Sequence, residues 1–217
     1  MNRNSVETRR RILAAGETVF SRNGYRAATV REIQTLARVN LAAIHYHFGS
    51  KEKLYLAICR GVAGKLADLS RKLESHEVAS AADWRAALDR FVRTLLDFFT
   101  QPDRASQENR RMLRWERVQP SRVRPLLIRD FYLPMAERLE ALLRRGLPLD
   151  VDPGMVLTWR VTVLAQCFYY EQADPATGFL FYPADWTRAE WLDRTTRHMV
   201  DGICARLTFR PAEGDPL

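Results

Sequence analysis

Three signals for the start of a helix follow one another closely near the N-terminus, and they constrain the fold more than any other feature. Thr29 and Glu32 have the spacing of a capping box, in which each side chain bonds the other residue's free backbone N–H. Asn40 and Ser50 are good N-terminal caps for two further helices, and Gly49 suits the end of the helix between them. Helices are therefore predicted over 29–37, over 40–48 and from Ser50 to about residue 74.

Apolar residues recur at helical spacing through almost the whole chain. No segment alternates polar and apolar residues for long enough to predict a strand, so the chain is expected to be all-α. Thr187 and Glu190 have the spacing of a second capping box, and Pro134 should kink or divide the helix that contains it. The further helices are predicted from Asp83 onward, over 107–118, 122–145, 153–171 and 187–208.

The formal charge of +8 is confined to one end of the 217-residue chain. Residues 1–65 contain 12 Lys and Arg against 4 Asp and Glu, whereas residues 66–217 contain 22 of each kind. This asymmetry indicates a polyanion-binding module joined to a neutral body. A surface that only keeps the protein in solution is the alternative, but it would not need to be confined to one end.

His45 and His47 raise the question of a metal or catalytic site. Two residues that lie two positions apart on a helix point in nearly opposite directions. Metal-binding pairs on helices instead use a spacing of three or four. The sequence also contains no serine or cysteine in a nucleophile context, no phosphate-binding glycine loop and no paired-carboxylate motif. We therefore expect neither a metal, nor a cofactor, nor enzymatic activity.

Two further features bear on the compartment. The three cysteines are far apart and odd in number, which argues against a disulfide framework. No apolar run is long enough to cross a membrane, and the N-terminus lacks the apolar stretch of a signal peptide. A soluble, cytoplasmic protein is expected.

Two short helices joined by a tight connection have the geometry of a helix-turn-helix, whose second helix enters the major groove of DNA. The stretch TVREIQTLARVNLAAIHYHFGSKEKLYLAI also resembles the DNA-binding signature of the TetR family of bacterial transcriptional regulators, over about residues 8–58. The positions that match the family pattern are Thr29, Ile33, Ala37, Val39, His47, Phe48, Lys51, Glu52 and Leu54. The departures from it are Gln34, Arg38, where the family has the turn glycine, Asn40, and His45, where it has a tyrosine.

The resemblance implies roles in DNA binding for eight positions of this stretch. Arg31, Leu41, Ala43 and Tyr46 would face base edges, and Thr29, His45, His47 and Lys51 would hold phosphates. Leu41 and Ala43 suit thymine methyl groups but offer no hydrogen bond, so Arg31 and Tyr46 would carry the polar readout. His47 as a half-buried residue that orients the helix is the alternative. The arginines at positions 3, 9, 10 and 11 are expected to add backbone or minor-groove contacts.

The resemblance also implies how the chain is divided and how it assembles. Residues 1–50 would form the helix-turn-helix DNA-binding domain and residues 51–217 the effector-binding and dimerisation domain. The last two helices would pair with those of a second subunit, and a homodimer demands a roughly palindromic operator. The segment 153–171 is apolar on nearly all sides, as expected for a helix buried between its own body and a partner. An ordinary core helix of a monomer is the alternative.

A ligand cavity is expected between the DNA-binding helices and the dimerisation helices. Aromatic and methionine residues at helical spacing also occur in plain cores, so this alternative stays open. The candidate lining residues are Phe99, Met112, Trp115, Glu116, Trp159, Phe168 and Tyr169. The segments WERVQPSRV and LLIRDFYLPMAERLEALL are similar to the CecR-like branch of the family.

The sequence thus predicts a DNA-binding transcriptional regulator, specifically a ligand-responsive homodimeric repressor. The alternative from another class is a helical small-molecule-binding protein or enzyme whose basic N-terminal end meets a membrane or an acidic partner. An activator would share the same DNA-binding end.

Overall fold

In the computed structural model, residues 3–71, 78–170 and 185–210 are described, and every regular element within these ranges is helical. The prediction of an all-α chain is therefore confirmed. The α-helices are α1 (Arg3–Ala27), α2 (Val30–Ala37), α3 (Leu41–Phe48), α4 (Lys51–Arg71), α5 (Ala81–Thr100), α6 (Arg104–Val118), α7 (Arg124–Leu127), α8 (Leu133–Arg144), α9 (Pro153–Tyr169) and α10 (Arg188–Cys204). The predicted end of α4 near residue 74 lies outside the described residues.

The predicted caps are present and fix the helix starts. Thr29 Oγ1 accepts a hydrogen bond from the Glu32 backbone N–H, and the Glu32 carboxylate accepts one from the Thr29 N–H at 2.8 Å. Asn40 Oδ1 accepts a hydrogen bond from the backbone N–H of Ala43 at 2.8 Å. Thr187 forms the second capping box at the start of α10. These predictions are confirmed. The caps could be predicted from the sequence because each joins residues only three positions apart.

The predicted starts of α5 and α6 are wrong by two or three residues. Ser80 caps α5, and Asp83, which was predicted to open the helix, is its partner in a capping box. Asp103 caps α6, so this helix begins at Arg104 rather than at residue 107. The first large apolar side chains, Trp84 in α5 and Met112 in α6, lie four and nine positions after the N-cap residues. The spacing of large apolar residues therefore places both starts too late.

The segment predicted as one helix over 122–145 is divided, as Pro134 indicates. A π-helical segment, Ile128–Tyr132, lies between α7 and α8. Pro134 is in the first turn of α8 and has no N–H to donate to the carbonyl of Asp130, four residues earlier. The wider π-helical turn directly before the proline accommodates this missing bond.

The described residues fall into two compact units. The N-terminal unit comprises residues up to 67 together with 102–131, and the C-terminal unit comprises 68–101 together with residues from 132 onward. In the N-terminal unit, α1 packs against α2, α3 and α6. The fully buried side chains of this unit include Ile12, Phe20, Ile33, Ile44 and Leu54. The functional division predicted at residue 50 stays a prediction, since these units describe packing alone.

In the C-terminal unit, α5 packs against α8, α9 and α10. Its buried side chains include Leu88, Phe91, Val92 and Leu95 of α5. Ion pairs join α5 to α10, which runs antiparallel to it. These pairs are Arg85 with Asp201, Arg93 with Asp193, and Arg188 with Asp97 at 2.7 Å.

The prediction that residues 153–171 form a mostly buried helix is wrong for the single chain. Of the residues of α9, only Val156, Val163 and Cys167 are buried. The packing of α5 and α8 against α9 leaves the other residues of this apolar helix half-buried or exposed. Its apolar composition therefore does not reflect burial within the chain's own core.

Candidate nucleic-acid interface

The connection between α2 and α3 is a tight turn, which confirms the predicted helix-turn-helix geometry. Arg38 ends α2 in the left-handed conformation, with φ 52° and ψ 50°, and its backbone N–H bonds the carbonyls of Gln34 and Thr35. Asn40 then caps α3. The two short helices are thus joined by three residues whose backbone polar groups are largely satisfied locally.

Buried side chains hold α3 in place. Ile44 and Phe48 of α3 are buried, as are Ile33 and Ala37 of α2. The guanidinium of Arg9, on α1, lies over the Phe48 ring at 5.2 Å from its centroid. These apolar residues therefore form a core rather than a DNA-contacting surface, and the opposite face of α3 is left accessible.

The accessible face of α3 differs from the prediction at one position. Leu41, His45 and Tyr46 are exposed, with Tyr46 at 82%, whereas Ala43 is half-buried. Ala42, which was not predicted, is exposed beside them. The signal was present in the sequence, since Ala42 lies four residues before Tyr46 and so on the same helical face.

Thr29 and Arg31 lie at the start of α2, where both are exposed. The Thr29 hydroxyl donates to the Glu32 carboxylate at 2.7 Å. Hydrogen bonds from the Thr29 hydroxyl and backbone hold the pKa of Glu32 below its ordinary value, so this carboxylate is ionised at neutral pH. The phosphate contact of Thr29 stays a prediction, and the neighbouring negative charge opposes it.

The two histidines of α3 have different surroundings. The His45 ring lies with Nδ1 3.0 Å from the Gly49 carbonyl oxygen. Because a carbonyl only accepts, Nδ1 carries the proton, and Nε2 is the ring nitrogen left for DNA. His47 is half-buried with its ring edge-on to Tyr46, which favours the orienting role. Phosphate contacts by both residues stay predictions.

Lys51 has a structural role that the sequence did not show. Its Nζ donates to the Ala28 carbonyl at 2.8 Å and lies over the Tyr25 ring at 4.7 Å. The ammonium thus donates to a carbonyl just after the C-terminal end of α1, where the partial negative charge of the helix end favours a cation. Its predicted phosphate contact stays a prediction and would use a remaining N–H.

Three of the candidate ligand residues belong to the N-terminal unit, where they serve its packing. Trp115 donates from Nε1 to the Ser21 carbonyl at 3.1 Å, and Met112 is buried. Glu116 is 2% exposed and accepts hydrogen bonds from the Tyr55 hydroxyl at 2.6 Å and the Ser121 N–H at 3.1 Å. Burial, with Cys59 and Glu116 close by, raises the pKa of Tyr55, so the hydroxyl stays a donor.

The other four candidate ligand residues belong to the C-terminal unit. Phe99 is buried and contacts Phe168, with ring centroids 4.8 Å apart. Trp159 instead lines an open groove of about 420 Å³ between α9 and α10, and Tyr169 is exposed. The seven candidates are therefore not gathered within one unit, and their ligand role stays a prediction.

In the described parts of the chain, no group of three or more His, Cys, Asp and Glu side chains has the arrangement of a metal site. Among the same residues, no helix is long and apolar enough to cross a membrane.

Two family models match the chain. One, described as bacterial regulatory proteins of the tetR family, matches residues 12–58, which include the helix-turn-helix. The other, described as the C-terminal domain of the HTH-type transcriptional dual regulator CecR, matches residues 84–205, more than half of the chain.

Individual proteins give the same picture. The HTH-type transcriptional repressor NicS of Pseudomonas putida is 33% identical over 94 residues, which are 43% of this chain and 42% of NicS. The match therefore spans less than half of NicS. The HTH-type transcriptional dual regulator CecR of Shigella flexneri is 28% identical over 215 residues, 94% of each chain.

A solved structure, the TetR family transcriptional regulator PfmR of Thermus thermophilus, has a TM-score of 0.64 and 22% identity, covering 92% of this chain and 97% of PfmR. At this identity the similarity shows the fold alone. The two family models show the family as well as the fold, because the first matches the helix-turn-helix and the second matches most of the remaining chain. The chain belongs to the TetR family of bacterial regulatory proteins, with a C-terminal domain of the CecR type.

Proposed function

We propose that this protein is a ligand-responsive homodimeric repressor that binds a roughly palindromic DNA operator in the cytoplasm. The observation that carries the proposal is the exposed face of α3, held outward by the buried pair Ile44 and Phe48. Family membership makes DNA-binding regulation of transcription the function of the chain. We propose in addition that regulation is by repression, that the protein forms a homodimer, and that a small-molecule effector controls its binding to DNA.

The chemistry of the α3 face fits base edges better than it fits a nonspecific polyanion. The helix contains no acidic residue, and its most exposed side chain, Tyr46, combines a ring with a hydroxyl. Leu41 and Ala42 add apolar surface that suits thymine methyl groups. Exposed cations nearby, Arg31 and Lys53 among them, supply the phosphate attraction that steers DNA to this face.

The dimer is proposed to form through α9 and α10. Along α9, four large side chains are about half exposed: Met155, Leu157, Val161 and Tyr169. The groove beside them is lined by side chains of both helices, including Trp159, His198 and Met199. Several large apolar side chains exposed along one helix are more often part of a protein–protein interface than of a surface that stays in contact with solvent. A second copy of the same surface would cover it by two-fold symmetry.

The effector is proposed to be a small molecule bound by the C-terminal part of the chain. Such a ligand relieves repression only as far as it binds the DNA-incompatible conformation better than the DNA-bound one. Repression rests on analogy with NicS, which is named a repressor, whereas CecR is named a dual regulator. The enzyme or membrane-contacting alternative is not favoured, and we propose no catalytic role.

The test is a fluorescence-anisotropy titration against duplex from the protein's own upstream region and against a scrambled duplex, at two salt concentrations. Specific regulation predicts a preference of about a thousandfold or more for the cognate duplex. Tyr46→Ala should reduce that preference, and Tyr46→Phe, which keeps the ring, should separate stacking from hydrogen bonding. Equal binding of both duplexes by the unmodified protein would overturn the proposal for that region of DNA.

A further inference from the structure

The turn of the helix-turn-helix carries an arginine where a glycine would be less strained. Arg38 has φ 52°, and it is the only non-glycine residue with positive φ among those described. Glycine adopts this conformation at no steric cost and is the usual residue at a helix end of this kind. The position therefore has a long cationic side chain although its backbone conformation is strained for any residue other than glycine.

The Arg38 side chain has no evident role in holding the turn. Its backbone does this, since the Arg38 N–H bonds the carbonyls of α2 and the Arg38 carbonyl accepts from Arg11 at 2.6 Å. A glycine would make both bonds. Within the described ranges, the exposed guanidinium of Arg38 forms neither a hydrogen bond nor an ion pair with another residue. A side chain that is unnecessary for the fold and strained in its backbone points to a contact outside the chain.

Arg38 belongs to a cationic groove within the N-terminal unit. The groove, of about 300 Å³, is formed by α1, α2 and α6 and is lined by four arginines. Arg10 is paired with Glu7 and Arg104 with Glu108. Arg11 bonds the carbonyls of Ala37 and Arg38 rather than a carboxylate. Two arginine charges, those of Arg11 and Arg38, are thus left without a bonded carboxylate in this part of the structure.

A cationic groove of this kind favours an anionic partner, and the location of Arg38 at the turn favours a DNA phosphate as that partner. Two residues after it, Asn40 caps α3, and the N-terminal end of a recognition helix is the end that enters the major groove. In a helix-turn-helix docked in this way, a side chain at the turn would lie close to the sugar–phosphate backbone beside the major groove. Guanidinium groups bind phosphate oxygens through two parallel hydrogen bonds.

We propose that Arg38 binds a phosphate of the DNA backbone, with Arg11 adding the second positive charge of the groove that has no bonded carboxylate. The assignment rests on the proposed DNA-binding function. It adds a phosphate contact at the turn, a position where glycine has no side chain to offer. Because the contact is to phosphate, it contributes equally to cognate and scrambled duplexes.

The experiment compares the full-length protein with Arg38→Gly, Arg38→Lys and the charge-matched control Arg22→Ala, whose exposed arginine lies outside the groove. Affinity for cognate and scrambled duplexes is measured from 50 to 200 mM salt. Arg38→Gly should lower both affinities by about tenfold and make the salt slope shallower by about 0.9 per lost phosphate contact. Its melting temperature should be equal or higher. Arg38→Lys should retain most of the affinity, and Arg22→Ala should change it by less than about twofold.

The outcomes separate the two proposals. Unchanged affinity and salt slope in Arg38→Gly would overturn the phosphate contact, even if the protein prefers its cognate duplex. Loss of affinity in Arg38→Gly on both duplexes supports the contact, even if the unmodified protein shows no sequence preference and the regulator proposal fails for that duplex. Calorimetric binding of inorganic phosphate that disappears in Arg38→Gly, with DNA affinity unchanged, would assign the groove to a free anion and overturn the DNA contact.

Discussion

Gly24→Ala should destabilise the protein by about 2–6 kcal/mol, as the sum of a backbone cost and a packing cost. Gly24 lies at a kink near the end of α1, with φ 70° and ψ 174°, a conformation that only glycine adopts readily and that costs other residues about 1–3 kcal/mol. An added Cβ would lie 2.9 Å from Cδ2 and 3.0 Å from Cε3 of the Trp115 indole. Overpacking of this kind costs about 1–3 kcal/mol, because the hydrogen bond from Trp115 to Ser21 keeps the ring from withdrawing.

The assay is denaturant unfolding followed by circular dichroism, with Gly61→Ala as the matched control. A Cβ at Gly61, within α4, meets no atom within 4 Å, so this change should stabilise the protein by about 0.5–1 kcal/mol through helix propensity. In a Trp115→Leu background, Gly24→Ala should cost only its backbone part, about 1–3 kcal/mol. The reasoning is refuted if Gly24→Ala is within about 0.5 kcal/mol of the unmodified protein. The same cost in both backgrounds would refute the contact with Trp115.

Further predictions concern buried groups, ion pairs and the dimer. Tyr55→Phe should cost about 1.5–3 kcal/mol in the same assay, because the buried Glu116 carboxylate loses a donor. Burial raises the pKa of Cys167 to about 12, and burial together with the nearby Glu116 raises the pKa of Cys59 to about 12. At pH 8 both thiols should therefore react with a disulfide reagent far more slowly than the less buried Cys204. Equal rates for all three cysteines would contradict this. The hydrogen bond from Arg93 lowers the pKa of Asp193 from its ordinary value of 3.8. The ionised Asp193 therefore contributes its full stabilisation of the folded state above that value, and the contribution is lost as the pH falls through the lower folded-state pKa. Asp193→Asn should therefore lower the melting temperature at pH 7, and the difference from the unmodified protein should shrink as the pH is lowered below 3.8. Gly202→Ala, which meets no atom within 4 Å in the single chain, should weaken dimerisation in analytical ultracentrifugation by about 1–3 kcal/mol if a partner helix packs there, whereas Gly61→Ala should not.

The helix-turn-helix could be predicted from the sequence because its signals are local. Thr29 and Asn40 cap through bonds that span three residues, and the outward position of Tyr46 follows from helical period alone. Lys51 shows where this reasoning stops. Its ammonium reaches the carbonyl of Ala28, 23 positions earlier, and no local pattern indicates a contact between residues so far apart.

The packing partners of the candidate ligand residues could not be predicted from the sequence, for a related reason. Met112, Trp115 and Glu116 share a helix whose apolar spacing is the same whether it lines a cavity or a core. The structure shows Trp115 stacked against Gly24 and Glu116 bonded to Tyr55, and both partners lie far away along the chain. Spacing gives the face of a helix that is buried, but it does not identify the side chains that cover that face.

The packing of α6 bears on how an effector signal would reach DNA. Residues 84–205, which match the CecR-type C-terminal domain, include α6, yet α6 packs in the N-terminal unit against α1. Within that unit it contacts α1 through Trp115 and Gly24, and α4 through Glu116 and Tyr55. The N-terminal end of α4 directly follows α3 through Gly49 and Ser50. A displacement of α6 that keeps these contacts would move α1 and α4 with it, and would thereby change the presentation of α3 to DNA. If the proposed effector acts on DNA binding through these contacts, the coupling free energy between the two sites depends on them. Tyr55→Phe, which removes the bond to Glu116, should then lower effector-induced release of DNA as well as stability.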